Sequence, residues 1–255
     1  MRPSAIRTLL GFLAALLVAV SASACVDAAE DVRRDALSGS TAVTFRTDSG
    51  VELAGRLFGD PEAARTGVVF AHMLPADQTS WYEFAKRTSD QGYLALTFDF
   101  RGYCPGGDGG CSEGDRDPAA SAADLAAAVR FIRSQGVETV ALVGASMGGT
   151  AALLVAAAER NAIAAVVTLS APPTIEGLVA GPDVLAGVTA AKLFVAGSGD
   201  GAAAQAAQAF SDQSPAPKRL EIVASDDHGT DLLSGNQAEI VRTLVLSELE
   251  QYAPA

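Results

Sequence analysis

The chain has 255 residues, 49% of them hydrophobic, with 30 Asp and Glu against 18 Lys and Arg and a formal net charge of -12. That length suits one large α/β domain or two small ones. So acidic a chain repels phosphate backbones, which argues against a nucleic-acid partner, and the charge otherwise serves solubility.

At the N-terminus, Arg2 and Arg7 flank the start of an apolar run from Thr8 to Val20. The run is too short to span a bilayer comfortably as a mature helix. Small residues follow from Ser21 to Ala24, and then Cys25. The pattern predicts an export signal over residues 1–24, and so a secreted, periplasmic or surface-held protein. Two endings stay open. An A-x-A site cleaved after Ala24 would leave Cys25 an incidental thiol. Alternatively, SASAC resembles a bacterial lipoprotein box, with Ala22 where Leu is usual, which implies lipidation of Cys25 and attachment to a membrane surface. Residues 25–40 are polar and charged without a strand pattern and read as a tether, leaving residues 41–255 as the folded domain.

From Thr41 onward a regular alternation begins. TAVTFRT and VELAGRLFG flank Asp48-Ser49-Gly50 and read as a hairpin. GVVFAH, from Gly67 to His72, is a short β-branched run typical of a buried strand. Trp81 to Asp90 reads as a helix and Tyr93 to Phe100 as a strand. Pro118 to Gln135 is helical, VETVALVG a strand, and SMGGTAALLVAAAER a helix. AIAAVVTLS is a strand, followed by a poorly defined helical connection, TIEGLVAGPDVLAGVTA. AKLFVAG is a strand, GAAAQAAQAF a helix, RLEIVAS the last strand and Asn236 to Tyr252 the closing helix. Eight strands alternating with helices, most of them near-continuously apolar, predict an α/β fold with a mostly parallel sheet covered on both faces. Cys104 and Cys111 bracket PGGDGG, flexible enough to bring two thiols together, and in an oxidising compartment a disulfide is favoured over free thiols. A metal site would need more ligands nearby, and neither His72 nor His228 is close in sequence.

Strand VALVG runs into Gly144-Ala145-Ser146-Met147-Gly148 and then an Ala-rich helix. The bare G-x-S-x-G pattern is weak; its strand, sharp turn and helix give it meaning. Such a turn lifts the Ser146 hydroxyl above the sheet, and the Met147 N–H at the helix N-terminus faces an oxygen that becomes negative in acyl transfer. A serine hydroxyl needs a neighbouring base, and histidine suits that role at neutral pH. His228 follows the last strand, on the sheet edge that also carries Ser146. His72 reads instead as structural, hydrogen-bonding within its own loop. Asp200, just beyond strand AKLFVAG, can orient the imidazole. Asp226 and Asp227 are rivals, but sequence neighbours rarely aim their side chains at each other with the needed geometry.

These residues resemble the α/β-hydrolase family over most of the mature chain. VVFAHMLPADQTSW resembles its strand and HG loop, with Met73 where glycine is usual. YLALTFDFRGYCPGGDG resembles its D-x-R-G-x-G segment, and GASMGG, LFVAGSGDG and DDHG its nucleophile elbow, acid turn and histidine loop. The family order Ser, Asp, His selects Asp200 as the acid. The loop after GVVFAH then supplies the second oxyanion donor, Leu74 N–H with Met73 the alternative. The resemblance, closest to small esterases and dienelactone-hydrolase-like members, implies a serine hydrolase acting on small to medium esters or thioesters through an acyl-enzyme, with no cofactor. Only a short segment, 171–191, stands where many relatives insert a lid, so the cleft is expected to be open. Two alternatives are a non-catalytic ligand-binding surface protein on the same scaffold and an acyltransferase. A further pattern, G-x-G-x-x-A from Gly197 to Ala202, matches a dinucleotide fingerprint but has only one strand after it, too few to build a cofactor crevice.

Overall fold

A computed structural model describes residues 35–255; the segment read as an export signal (1–24), Cys25 and most of the segment read as a tether lie outside the described residues. Asp35 to Leu37 form a single helical turn. The main body runs from Gly39 to Ala255. Its eight-stranded sheet contains β1 (Ser40–Arg46), β2 (Glu52–Phe58), β3 (Thr66–Ala71), β4 (Leu94–Phe98), β5 (Thr139–Ala145), β6 (Ala165–Leu169), β9 (Ala191–Gly197) and β10 (Lys218–Val223). The spatial order is β1-β2-β4-β3-β5-β6-β9-β10. Only β2 runs against its neighbours, pairing antiparallel with β1 and with β4. All other pairings are parallel.

The residue types explain this arrangement. Strands β3, β4, β6 and β9 are buried at every position, as apolar runs covered on both faces must be. β1 alternates polar and apolar at the sheet edge, where one side meets water. One helical layer consists of α2 (Ser121–Ser134), α3 (Met147–Ala158), α4 (Pro182–Gly187) and α5 (Gly201–Gln213), packed each against the next. The other pairs α1 (Tyr82–Ser89) with α6 (Ala238–Tyr252). These two are linked by exposed ion pairs, Arg87 to Glu239 at 2.9 Å and Arg242 to Glu83 at 2.6 Å.

The connection after β6 differs from its helical reading. Thr174–Ile175 (β7) and Leu178–Val179 (β8) form a small hairpin. Its turn residues Glu176 and Gly177 both take positive φ, 46° and 92°, as a two-residue primed turn requires. α4 then supplies six helical residues. The hairpin and short helix replace a lid. No helix among the described residues is long and apolar enough to cross a membrane.

Candidate active site

The parallel strands share one carboxyl edge, and there the predicted residues gather. Ser146 joins β5 to α3 with φ 47° and ψ -115°, a conformation that costs a non-glycine residue about 1–3 kcal/mol and persists only where the surroundings over-determine it. Those surroundings are visible. The Ser146 N–H donates to Leu169 C=O on β6 (2.8 Å), and its carbonyl accepts from Gly149 N–H (2.9 Å). A side chain at Gly144 would strike the Gly148 carbonyl, and one at Gly148 would strike the Ala71 carbonyl of β3. The two glycines therefore let strand, elbow and helix close to backbone contact. Met147 opens α3, where its N–H has no carbonyl four residues back within the helix.

Asp200 and His228 come from the ends of neighbouring strands, β9 and β10. The acid turn and the histidine loop touch backbone to backbone: Ser198 N–H donates to Val223 C=O and Gly199 N–H to Ser225 C=O. Any Cβ at Gly197 would meet the Ser225 carbonyl, and one at Gly199 the Asp226 carboxylate. Close approach, rather than nucleotide binding, thus accounts for the glycines of the G-x-G-x-x-A pattern. His228 Nδ1 lies 2.5 Å from Asp200 Oδ2. The rival carboxylates are turned elsewhere, with Asp227 Oδ2 accepting from Ser225 Oγ at 2.5 Å and Asp226 lying against Gly199. Just after His228, Gly229 packs against Ala145, the residue before Ser146. The histidine loop therefore crosses over β9 and β6 to reach the elbow.

The loop after β3 is set by buried polar groups. His72 is fully buried; its Nδ1–H donates to Met73 C=O (3.0 Å) and its Nε2 accepts from Phe100 N–H (3.1 Å). Burial lowers its pKa from 6.5 to about 4, so the ring stays neutral and serves as the loop clamp expected from the sequence. In a planar trans peptide the C=O and N–H point opposite ways. Fixing the Met73 carbonyl on His72 therefore turns the Leu74 N–H away from that ring.

Asp99 and Gln78 were not singled out by the sequence, yet they hold the far end of the same loop. The Asp99 carboxylate accepts from Gln78 N–H (2.9 Å) and Gln78 Nε2 (2.7 Å). Gln78 Nε2 also donates to Gly109 C=O (2.6 Å), within the loop closed by the Cys104–Cys111 disulfide. Burial outweighs these hydrogen bonds and raises the Asp99 pKa to about 7. The signal was a lone carboxylate ending the apolar strand YLALTFDF, since an Asp there must find partners inside the fold. Among the described residues no group of three or more His, Cys, Asp or Glu could hold a metal ion.

A family profile described as alpha/beta hydrolase fold matches residues 67–228. The chain belongs to the alpha/beta hydrolase family. No curated protein matches it in sequence. Among solved structures, this alpha/beta hydrolase is similar to the Pyrococcus furiosus esterase Pf2001, with TM-score 0.68, 18% identity, and 86% of this chain and 95% of that one covered. It is equally similar to dienelactone hydrolase from Anabaena variabilis, with TM-score 0.68 and 22% identity over 84% and 97% of the two chains. A thermophilic esterase from Thermogutta terrifontis gives TM-score 0.65 and 18% identity over 83% and 98%. At these identities the likeness concerns the fold.

Proposed function

We propose that this alpha/beta hydrolase is a serine hydrolase cleaving carboxylic esters or thioesters of small to medium substrates through an acyl-enzyme. The observation that carries the reading is the 2.5 Å contact of His228 Nδ1 with Asp200 Oδ2, in a loop whose next residue packs beside the Ser146 elbow. A carboxylate on Nδ1 fixes the tautomer in which Nε2 accepts a proton. Among the described residues that Nε2 makes no hydrogen bond, and the His228 side chain is 44% exposed.

Ser146 Oγ attacks the substrate carbonyl carbon while His228 Nε2 takes its proton. The Asp200 carboxylate stabilises the imidazolium, and the oxyanion receives the N–H groups of Met147 and Leu74. The tetrahedral intermediate expels the alcohol or thiol, which takes the proton from His228 and leaves an acyl-serine. Water, deprotonated by His228, then attacks the acyl-serine, and the proton returns to Ser146. Similarity in fold to two esterases and a dienelactone hydrolase supports this chemistry, and the lidless connection after β6 fits modest-sized or extended substrates reaching an open cleft. From the N-terminal pattern we propose export, with a lipid on Cys25 holding the enzyme at a membrane surface.

The purified protein should hydrolyse p-nitrophenyl acetate and be labelled on Ser146 by a fluorophosphonate. Ser146→Ala should lose labelling altogether and turnover by at least about 10³-fold. A Ser146→Ala protein still labelled at the wild-type rate would end the assignment.

A further inference from the structure

Two loops must keep a fixed spacing for this chemistry: 73–77, which carries the Leu74 N–H, and 226–235, which carries His228. They follow different strands, β3 and β10, that are not neighbours in the sheet. Among the described residues no main-chain hydrogen bond joins them.

One side chain bridges the gap. Met73 is 9% exposed. Its carbonyl is bound by His72, and so belongs to the peptide unit that presents Leu74 N–H. Its thioether reaches across to the other loop, where Sδ accepts from Thr230 Oγ1 at 3.7 Å. That is the only hydrogen bond between residues 73–77 and 226–235 among the described residues. The same sulfur lies so close to Gly229 that a Cβ there would collide with it, and Ala145 closes the site from the elbow side. Gly229 has φ 59°, so both the backbone conformation and the space exclude a larger residue. His228 is thus followed by a residue wedged between Met73 and the residue before Ser146.

We propose that Met73 is a positioning residue that couples the oxyanion loop to the base loop, so that the Leu74 N–H and the His228 imidazole keep one spacing. The inference rests on the serine-hydrolase reading above. A long unbranched thioether suits the task, because it fills an irregular gap between two loops and accepts a weak hydrogen bond there. Truncating it leaves each loop attached to its own strand but free to shift against the other. A misplacement of about 1 Å at a catalytic group costs on the order of a hundredfold in rate.

The test compares p-nitrophenyl acetate kinetics and thermal midpoints of wild type, Met73→Ala and Met73→Leu, with Met73→Val taking the place of an alanine variant that does not fold. Truncation should lower kcat about 10- to 100-fold and leave KM within about twofold, because geometry at the reacting atoms is lost rather than substrate binding. Leucine keeps most of the volume and should restore kcat to within about threefold of wild type. In a His228→Ala background the truncation should cost clearly less than in wild type, since only the Leu74 N–H is then left to be misplaced. Unchanged kcat on truncation, failure of leucine to restore it, or an undiminished loss in the His228→Ala background would each overturn the coupling. A wild-type protein with no Ser146-dependent turnover would instead remove the serine-hydrolase reading beneath it, a result separable from the other three.

Discussion

The two histidines of this chain stand at the same edge of one sheet and face opposite fates. His72, at the end of β3, is fully buried, with both ring nitrogens engaged by main-chain groups and its pKa lowered to about 4. His228, beyond β10, is nearly half exposed, with a carboxylate on one nitrogen and, among the described residues, nothing on the other. A base needs a spare, reachable nitrogen and a partner for the positive charge it acquires. Only the second region offers both. The first spends the same imidazole on shape, turning one peptide so that its N–H points away from the ring.

Exchanging the loss of each ring is the sharpest way to break this contrast. His228→Ala should lower kcat by at least about 10⁴-fold, as removal of a base from a cooperating triad does. Its half-exposed position should keep the stability change within about 1 kcal/mol. His72→Phe should do the reverse. It strands the Met73 carbonyl and the Phe100 N–H in the interior, at about 1–3 kcal/mol each, and any activity loss should follow the displaced Leu74 peptide. Kinetics and urea unfolding of both variants decide it. A His72→Phe protein of wild-type stability would refute the clamp.

Acid titration probes the buried side more finely, because His72 and Asp99 oppose each other. The unfolded chain protonates His72 below its ordinary pKa of 6.5, whereas the folded protein does so only near 4. His72 therefore withdraws stability as the pH falls from 6.5 to 4. Folded Asp99 holds its proton up to about pH 7, whereas the unfolded chain releases it near 3.8. Asp99 therefore withdraws stability as the pH rises from 4 to 7. Over the shared window the two slopes nearly cancel. In Asp99→Asn only the histidine slope remains, and stability should fall by about 3 kcal/mol from pH 6.5 to pH 4 relative to the wild-type trend. A wild-type slope as steep as that of the variant would mean that Asp99 ionises normally inside the fold.

The same contrast explains what could be read from the sequence. The exposed side, on which the proposed chemistry rests, could be placed from the sequence because each of its parts follows a strand in a fixed order: GASMGG after β5, GSGDG after β9 and DDHG after β10. In a parallel sheet, following a strand means standing at one edge. The buried side was less legible because its partners are far apart in the chain. Gln78 meets Asp99 across 21 residues and Gly109 across 31, and nothing in QTSW announces a glutamine that ties two loops together. The hairpin after β6 escaped for a local reason. Glu176-Gly177 puts a glutamate at positive φ, where Asn or Asp would have signalled the turn. The bridging of the two loops by Met73 was likewise invisible, since a methionine in a loop carries no sign of what it will touch.

The smallest of these effects concerns the Cys104–Cys111 disulfide, which closes a seven-residue separation beneath the buried side. The loop it closes is also held by Gln78 Nε2 on the Gly109 carbonyl and by Arg56 Nη2 on the Asp108 carbonyl. Its main effect is therefore to restrict the unfolded chain. So short a loop corresponds to about 2–3 kcal/mol in the chain-entropy account, or about 5–10 °C in Tm for a domain of this size. Cys104→Ser with Cys111→Ser should lower Tm by that amount and leave kcat within about twofold, because Gln78 can still engage both Asp99 and the loop carbonyl. The direction of any larger effect would be informative. A fall in kcat with KM unchanged would mean that the disulfide loop transmits its position through Gln78 and Asp99 to the Leu74 peptide. The buried region around His72 and Asp99 would then share in setting the geometry of the reacting atoms.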